Sequence, residues 1–218
     1  MTLRLAHRGD WRVGVENGLR ALVAGALAVR SDGVEFDVRL ARDGTPVVIH
    51  DDDLRRVQGV AASVAQLGAP ELAAHGVPSL AEVLAALPER AFLDVELKEV
   101  PNPEVARILV AARGRAPERA VVSSFEPLAL RTLALLVPRW PRWLNVTVLN
   151  GPVIDAALDL DCAGISAEWR AITSGTAPLV RAAGLDLVAW TVRRRPTVER
   201  LARLGVAAVC VEGAPLDG

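Results

Sequence analysis

The sequence is poor in cysteine, which bears on disulfide bonding and on the cellular compartment. Its 218 residues include only two cysteines, Cys162 and Cys210, and each lies in an apolar stretch. Isolated cysteines in apolar surroundings are usually buried free thiols. We therefore expect no disulfide framework, which agrees with a reducing compartment.

An excess of charge of one sign is also missing, and so is any long apolar run. The chain has 25 basic and 26 acidic residues and a formal net charge of -1. A dedicated nucleic-acid binder needs a basic face, so this balance argues against one. Because no uninterrupted apolar run approaches the ~18 residues of a membrane span, we expect no stable membrane insertion. Residues 1–7 are too polar for the start of a secretory signal, so the prediction is a cytoplasmic protein.

Lysine is the rarest of the basic residues. It occurs once, at Lys98, against 24 arginines. A compact ammonium and a planar guanidinium are not interchangeable, so a single lysine in this background suggests a position that requires its shape.

Short apolar runs alternate with longer amphipathic stretches along the chain. The eight runs typical of strands are Leu3–Ala6, Gly33–Val38, Phe92–Leu97, Ala120–Ser124, Trp143–Val148, Cys162–Ile165, Asp186–Thr191 and Ala207–Val211. Helices are predicted near Gly18–Val29, Leu80–Ala86, Pro103–Ala112, Pro127–Leu136, Val153–Leu158, Ile172–Ala182 and Thr197–Leu204. Nearly continuous apolar strands separated by helices are typical of a parallel sheet covered on both faces.

Eight such strands in 218 residues favour an α/β fold of the (β/α)8 TIM barrel type. The main alternative is a doubly wound open sheet, which would normally carry a glycine-rich phosphate loop after its first strand. His7-Arg8-Gly9-Asp10 is not such a loop. We expect one barrel domain over residues 1–218, without a linker or an internal repeat.

A small β-hairpin is expected after the second strand. Asp43-Gly44 is a strong turn signal, and the extended run Pro46–Ile49 follows it. Residues 57–78 are rich in alanine, glycine and proline and predict a loop or short helices over one end of the barrel. Residues 213–218 are interpreted as a polar tail.

Charged residues stand at the carboxyl ends of several predicted strands, where barrel enzymes place their functional groups. Glu35 and Asp37 are two residues apart and so point to the same side of one strand; Glu96 and Lys98 repeat this arrangement. Three converging carboxylates would repel one another strongly without a cation. Because all the ligands are oxygens, the site favours one hard divalent ion, Ca²⁺ or Mg²⁺.

Two histidines should reach the same barrel mouth. His7 ends the first strand and His50 ends the hairpin. A pair of imidazoles can supply one general acid and one general base near neutral pH. Arg8 and Lys98 add positive charge suited to a phosphate. Together with a metal cluster, this set of residues predicts a site that cleaves a phosphodiester.

These residues lie in segments that resemble the glycerophosphodiester phosphodiesterase family. The matching segments, in chain order, are His7-Arg8-Gly9, Glu16-Asn17, Glu35-Phe36-Asp37-Val38, Asp43-Gly44, Val47-Val48-Ile49-His50-Asp51 and Glu96-Leu97-Lys98, with Ser124-Phe125 and Trp190-Thr191-Val192 as later landmarks. The resemblance spans most of the chain.

The resemblance implies a TIM barrel that hydrolyses glycerophosphodiesters to sn-glycerol 3-phosphate and an alcohol. It implies the following roles: His7 and His50 as the acid/base pair, Glu35, Asp37 and Glu96 as metal ligands, Arg8 and Lys98 at the phosphate, and Phe125 and Trp190 lining the pocket for glycerol or the alcohol. Glu16 and Asn17 either support the site or start the following helix, for which Asn17 is a suitable N-cap. Asp51 is expected to orient His50 or the hairpin.

Two departures from the family pattern lie near the mouth. Arg193 stands where the family usually has asparagine, and the final strand runs into Val211-Glu212-Gly213-Ala214-Pro215 instead of Thr-Asp-x-Pro. These changes leave the alcohol moiety of the small-molecule substrate open. The alternatives are a lyase-type phospholipase that gives a cyclic phosphate and a non-catalytic barrel that binds phosphoesters. The sequence is compatible with both a monomer and a homo-oligomer.

Overall fold

A closed ring of eight parallel strands organises the protein. The computed structural model describes residues 1–217; Gly218, the last residue of the expected domain and tail, lies outside them. The strands are β1 (Leu3–His7), β2 (Gly33–Leu40), β3 (Pro46–Val48), β4 (Phe92–Leu97), β5 (Ala120–Ser124), β6 (Arg142–Val146), β7 (Gly164–Glu168), β8 (Asp186–Val192) and β9 (Ala208–Val211). All except β3 belong to the ring.

Closure of the sheet depends on β1, which pairs in parallel with both β2 and β9. Ala6 is opposite Val34 on one side and opposite Val211 on the other. An open sheet would leave β1 or its neighbours as an edge, so this double pairing confirms the predicted barrel. It also places the carboxyl ends of β1, β2 and β9 next to one another.

Helices follow most of the barrel strands. They are α1 (Leu19–Leu27), α2 (Arg55–Gln58), α3 (Ala69–Ala74), α4 (Leu80–Ala86), α5 (Pro103–Arg113), α6 (Pro127–Leu136), α7 (Gly151–Asp159), α8 (Ala177–Ala182) and α9 (Arg195–Arg203), with short 3-10 helices at Val64–Gln66 and Ala214–Leu216. Their buried aliphatic side chains and those on the outer face of the strands form one large core. This two-sided burial explains why the strands are nearly continuous apolar runs.

The predicted hairpin is present. β2 and β3 pair antiparallel, with Arg39 opposite Val47, and Gly44 in the turn has φ +80. Residues 55–74 fold into short helices, as the composition indicated. Together with β3 they enclose a separate apolar cluster that includes Ile49, Leu54 and Leu72. The segment that carries His50 is therefore packed rather than loose.

Most predicted elements agree with the structure to within two residues at each end, and the largest differences are at β7, at α8 and in the predicted tail. The strand expected at Cys162–Ile165 is β7, Gly164–Glu168. The helix expected from Ile172 begins only at Ala177, because the Thr173 and Thr176 hydroxyls hydrogen-bond to each other and to nearby backbone in a turn. The tail prediction is wrong for residues 214–216, which form a 3-10 helix with Pro215 and Leu216 buried.

Cys162 and Cys210 are buried free thiols, as expected. Within residues 1–217, every helix is too short or too polar to cross a bilayer.

Candidate active site

The candidate site is a cavity of about 520 Å³ at the carboxyl ends of the barrel strands. Each strand of the ring, or the residue directly after it, contributes at least one lining side chain: His7, Glu35, Glu96, Ser123, Asn145, Ser166, Trp190 and Glu212. Of the other residues predicted from the sequence, Arg8, Glu16, His50, Lys98 and Phe125 also line it. Asp37 and Asp51 contact the lining residues Arg8 and His50, and Asn17 hydrogen-bonds to Asp37.

Glu35, Asp37 and Glu96 form one carboxylate cluster. One oxygen from each lies within 4.8 Å of the others. The sheet explains this convergence. Glu35 and Asp37 are two residues apart on β2 and so point to the same face, and Asp37 is directly opposite Glu96 on β4. Glu35 and Asp37 are 3% and 0% exposed, an environment that disfavours an unpaired charge.

Two buried oxygens of the cluster accept no hydrogen bond from the described residues. They are Glu35 Oε1 and Asp37 Oδ1; the latter lies 3.5 Å from Lys98 Nζ. Unpaired carboxylate oxygens that converge at this spacing fit a hard divalent cation, which prefers oxygen ligands. The residues present therefore fit a metal, and the cluster is a candidate site for one.

The electrostatics of the cluster show why a cation would stabilise it. Burial, together with the charges of Asp37 and Glu96, raises the pKa of Glu35 well above its usual value. Burial and the charge of Asp37 also raise the pKa of Glu96. Burial acts in the same direction on Asp37, but Arg8 and Lys98 reverse the effect and lower its pKa. Burial and mutual repulsion thus oppose the ionisation of Glu35 and Glu96, an effect that a bound cation would offset.

Asn17 fixes Asp37 by two hydrogen bonds. Its side-chain amide donates to Asp37 Oδ2 at 2.7 Å, and its carbonyl oxygen accepts the Asp37 backbone N–H at 3.2 Å. Of the two alternatives for Asn17, the capping of α1 is wrong, because the N-cap is Gly18 and has no side-chain bond. Asn17 has φ +60, a left-handed conformation that asparagine tolerates and that is compatible with its position beside β2.

Arg8 and Lys98 place positive charge on either side of Asp37. Arg8 Nε lies 3.2 Å from Asp37 Oδ2, and Arg8 Nη1 donates to Glu16 at 2.9 Å. Lys98 Nζ donates to Glu96 Oε1 at 2.5 Å. Both cations border the cavity, so an anion that enters would meet them beside the carboxylate cluster.

The two histidines share one arrangement. His7 Nδ1 lies 2.7 Å from Glu212 Oε1, and His50 Nδ1 lies 2.7 Å from Asp51 Oδ1. A carboxylate at Nδ1 orients an imidazole and leaves Nε2 for proton transfer. His7 Nε2 is 3.8 Å from Glu35 Oε2, which places it at the edge of the carboxylate cluster. Burial lowers the pKa of His50, although Asp37 and Asp51 oppose the effect.

Arg56 holds the partner of His50 in place. Its Nε donates to Asp51 Oδ2 at 2.6 Å, and its Nη1 donates to Glu16 at 3.0 Å. Hydrogen bonds from Arg56 and His50 lower the pKa of Asp51 to about 2. Glu16 therefore links Arg8 to Arg56 and connects the loop after β1 with α2, which follows the hairpin.

An apolar wall faces the charged groups. The rings of Phe125 and Trp190 meet edge to face with centroids 5.4 Å apart, and Lys98 Nζ is 5.9 Å from the Phe125 centroid. Trp190 Nε1 donates to the Ser166 carbonyl at 2.9 Å, which fixes the indole. The cavity thus has a charged side and a hydrophobic side.

Asp94, Glu212 and Arg56 are among the site residues that sequence analysis missed. Asp94, 1% exposed on β4, accepts a 2.6 Å hydrogen bond from Ser123, and burial raises its pKa to about 7. Its signal was the series Asp94, Glu96, Lys98 on one face of a strand. Glu212 also stands at a strand end, but only its departure from the family pattern was noted. Arg56 carried no local signal.

Comparison with known proteins decides the family. Residues 7–213 match the glycerophosphoryl diester phosphodiesterase family. The chain belongs to this family. It is 27% identical to the glycerophosphodiester phosphodiesterase of Caldanaerobacter subterraneus subsp. tengcongensis, covering 97% of this chain and 94% of the relative. It is 28% identical to a probable glycerophosphodiester phosphodiesterase 2 of Mycobacterium tuberculosis, covering 98% and 88%.

Solved structures agree with this assignment. An Oleispira antarctica phosphodiesterase in complex with the product sn-glycerol-3-phosphate superposes with a TM-score of 0.84 at 25% identity, covering 97% of this chain and 93% of that one. A Galdieria sulphuraria protein described as a glycerophosphodiester phosphodiesterase superposes with a TM-score of 0.84 at 20% identity, covering 97% and 94%, which supports the fold. The protein is thus an enzyme of the glycerophosphodiester phosphodiesterase family, a phosphoric diester hydrolase on a TIM barrel.

Proposed function

We propose that this glycerophosphodiester phosphodiesterase hydrolyses its substrates to sn-glycerol 3-phosphate and an alcohol in a reaction that requires one divalent cation. The observation that carries the metal requirement is the Glu35, Asp37 and Glu96 cluster with its two unpaired buried oxygens. The product is proposed from the Oleispira antarctica relative, which was solved with sn-glycerol-3-phosphate.

Phosphate recognition is assigned to the two cations that border the cluster. Arg8 and Lys98 are proposed to donate hydrogen bonds to the non-bridging phosphate oxygens, where charge develops as the diester is cleaved. Glu16 and Asp37 hold the Arg8 guanidinium in place. Glu96 holds the Lys98 ammonium in the same way. A cation bound by the three carboxylates would neutralise charge on the same phosphate.

Proton transfer is assigned to His7 and His50. One imidazole would take the proton of the attacking hydroxyl through Nε2, and the other would give a proton to the departing alkoxide. Each carboxylate at Nδ1 keeps its ring oriented for this exchange. The nucleophile is either water or the substrate's own 2-hydroxyl. Phe125 and Trp190 would contact the carbon skeleton of the glycerol or the alcohol.

Several broader expectations also stand as proposals. We assign the ion as Mg²⁺ or Ca²⁺ from the all-oxygen donor set. The chain is proposed to act as one catalytic domain, supported by a barrel that runs from β1 to β9. A cytoplasmic location is supported by its two free thiols. Small-molecule glycerophosphodiesters are proposed as its partners.

Phosphorus NMR of glycerophosphocholine turnover tests this function. The metal-supplemented enzyme is expected to convert the diester signal into that of glycerol 3-phosphate. A cyclic phosphate that accumulates as the end product would replace hydrolysis with lyase chemistry. Line broadening of the diester signal without turnover, repeated over a panel of diesters with other alcohols, would indicate a binding barrel and contradict the proposal.

A further inference from the structure

Glu212 has a contact that the proposed reaction does not yet explain. It directly follows β9 and is 6% exposed, and its Oε1 lies 2.7 Å from His7 Nδ1. The two residues are 205 positions apart in sequence. They meet because β1 pairs with β9 in the closed barrel.

Both ends of the Glu212 carboxylate are occupied. Its second oxygen, Oε2, accepts a 2.5 Å hydrogen bond from Arg193 Nε. Its backbone N–H donates to the Val192 carbonyl at 3.1 Å, which ties the residue to the end of β8. The Glu212 side chain therefore has little freedom to turn away from His7, whereas a carboxylate without a second partner would rotate easily.

We propose that Glu212 is the positioning residue for His7, an inference that rests on the proposed function of the site. A neutral imidazole carries one N–H, and an ionised carboxylate can only accept. The Glu212 contact therefore selects the tautomer with hydrogen on Nδ1. The Nε2 lone pair then faces the carboxylate cluster, 3.8 Å from Glu35, where a proton is to be exchanged.

The Glu212→Gln variant tests the positioning of His7 while nearly preserving the shape of the side chain. A glutamine has nearly the same shape, but its amide N–H₂ group can donate to His7 Nδ1 and stabilise the opposite tautomer. We expect kcat to fall at least about ten-fold with KM within about two-fold, because substrate contacts remain while proton transfer is impaired. An unchanged kcat would overturn the proposal.

Glu168→Gln is the matched control. Glu168 ends β7 and pairs with Arg170 at 2.7 Å, so it is also a glutamate at a strand end paired with an arginine. The Glu168→Gln substitution is expected to leave kcat and KM unchanged. An equal loss of kcat in this control would show a general effect of rim charge and would contradict a specific role for Glu212.

Nitrogen-15 NMR of histidine-labelled protein gives a readout that needs no turnover. The chain has three histidines, and His75→Gln and His50→Asn assign the spectrum. At pH 8 we expect His7 to be the Nδ1–H tautomer in the wild type and to lose that state in Glu212→Gln. A wild-type His7 protonated on Nε2 would overturn the proposal. If no diester is turned over, the proposed function fails and the tautomer still decides the role of Glu212.

Discussion

At the scale of single residues, the paired imidazoles carry the proposed chemistry. Replacing His7 or His50 with alanine is expected to lower the rate of diester hydrolysis at least about 100-fold, because general acid–base catalysis contributes that much or more. Neither ring belongs to the apolar core, so circular dichroism of each variant should match the wild type. Steady-state release of glycerol 3-phosphate measures the loss.

His75 supplies the control for both substitutions. It is exposed at the end of α3 and does not line the cavity. His75→Ala should keep wild-type activity. A His50→Ala enzyme with comparable activity would contradict the acid/base scheme.

Asp51 predicts a measurable dependence of stability on pH. Its folded pKa is about 2, against a usual 3.8. Because the pKa is lowered on folding, the stabilisation is complete above about pH 4 and disappears as the pH falls through 2. The Arg56 partner is about half exposed, so we expect only about 1 kcal/mol in the free energy of unfolding.

Urea unfolding at pH 6 and pH 2.5 checks this expectation. Asp51→Asn should lose less stability than the wild type over that interval, by about 1 kcal/mol. The variant Asp52→Asn, at an adjacent exposed carboxylate, should follow the wild type. Identical pH dependence in Asp51→Asn and wild type would show that the Asp51–Arg56 pair does not stabilise the fold.

The placement of site residues could be predicted where the signal is local. Glu35, Asp37, Glu96 and Lys98 could be placed together because a strand repeats its direction every two residues. Glu212 and Arg56 could not be assigned as partners from local sequence, because their contacts depend on barrel closure and on the path of the hairpin. Asn17 was predicted in part, since its position was noted and its bonds to Asp37 were not.

At the scale of elements, the observed end of a strand can differ from the predicted end where the barrel interior becomes polar. Apolar character locates the start of a strand well, but near the mouth the inward positions line the cavity. β7 shows the effect: Ser166 lines the cavity and Glu168 ends the strand, so the apolar run stops at Ile165 before the strand does. β5 was bounded correctly although it ends in Ser123 and Ser124, of which Ser123 lines the cavity.

Gly9 is an element-level requirement of the β1–α1 connection. It has φ +83, and a Cβ there would overlap the Ala21 backbone in α1. Gly9→Ala is therefore expected to cost the left-handed strain of about 1 kcal/mol plus a steric penalty of at least about 2 kcal/mol. Urea unfolding at neutral pH measures the sum.

Gly59→Ala isolates the strain alone. Gly59 has φ +72, and a methyl group there would meet no described atom within 4 Å. It should cost only about 1 kcal/mol. Equal losses in the two variants would show that α1 does not pack against Gly9 as closely as the structure indicates.

At the scale of the whole molecule, closure of the barrel assembles the site. Because β1 pairs with both β2 and β9, His7 lies between Glu35 of β2 and Glu212, which follows β9. β4 pairs with β2 and adds Glu96 to the carboxylate cluster. Residues more than 200 positions apart thereby surround one cavity. The fold could be predicted from the alternation of strands and helices, whereas these contacts required the closed ring.

The most direct test of the account is the release of glycerol 3-phosphate from glycerophosphocholine by metal-stripped enzyme. Release should appear only when Mg²⁺ or Ca²⁺ is restored. Glu35→Gln, which keeps the shape of the side chain but removes its charge, should abolish it, while Glu168→Gln stays active. Undiminished release in excess EDTA, or by Glu35→Gln, would contradict a metal-dependent reaction at this carboxylate cluster.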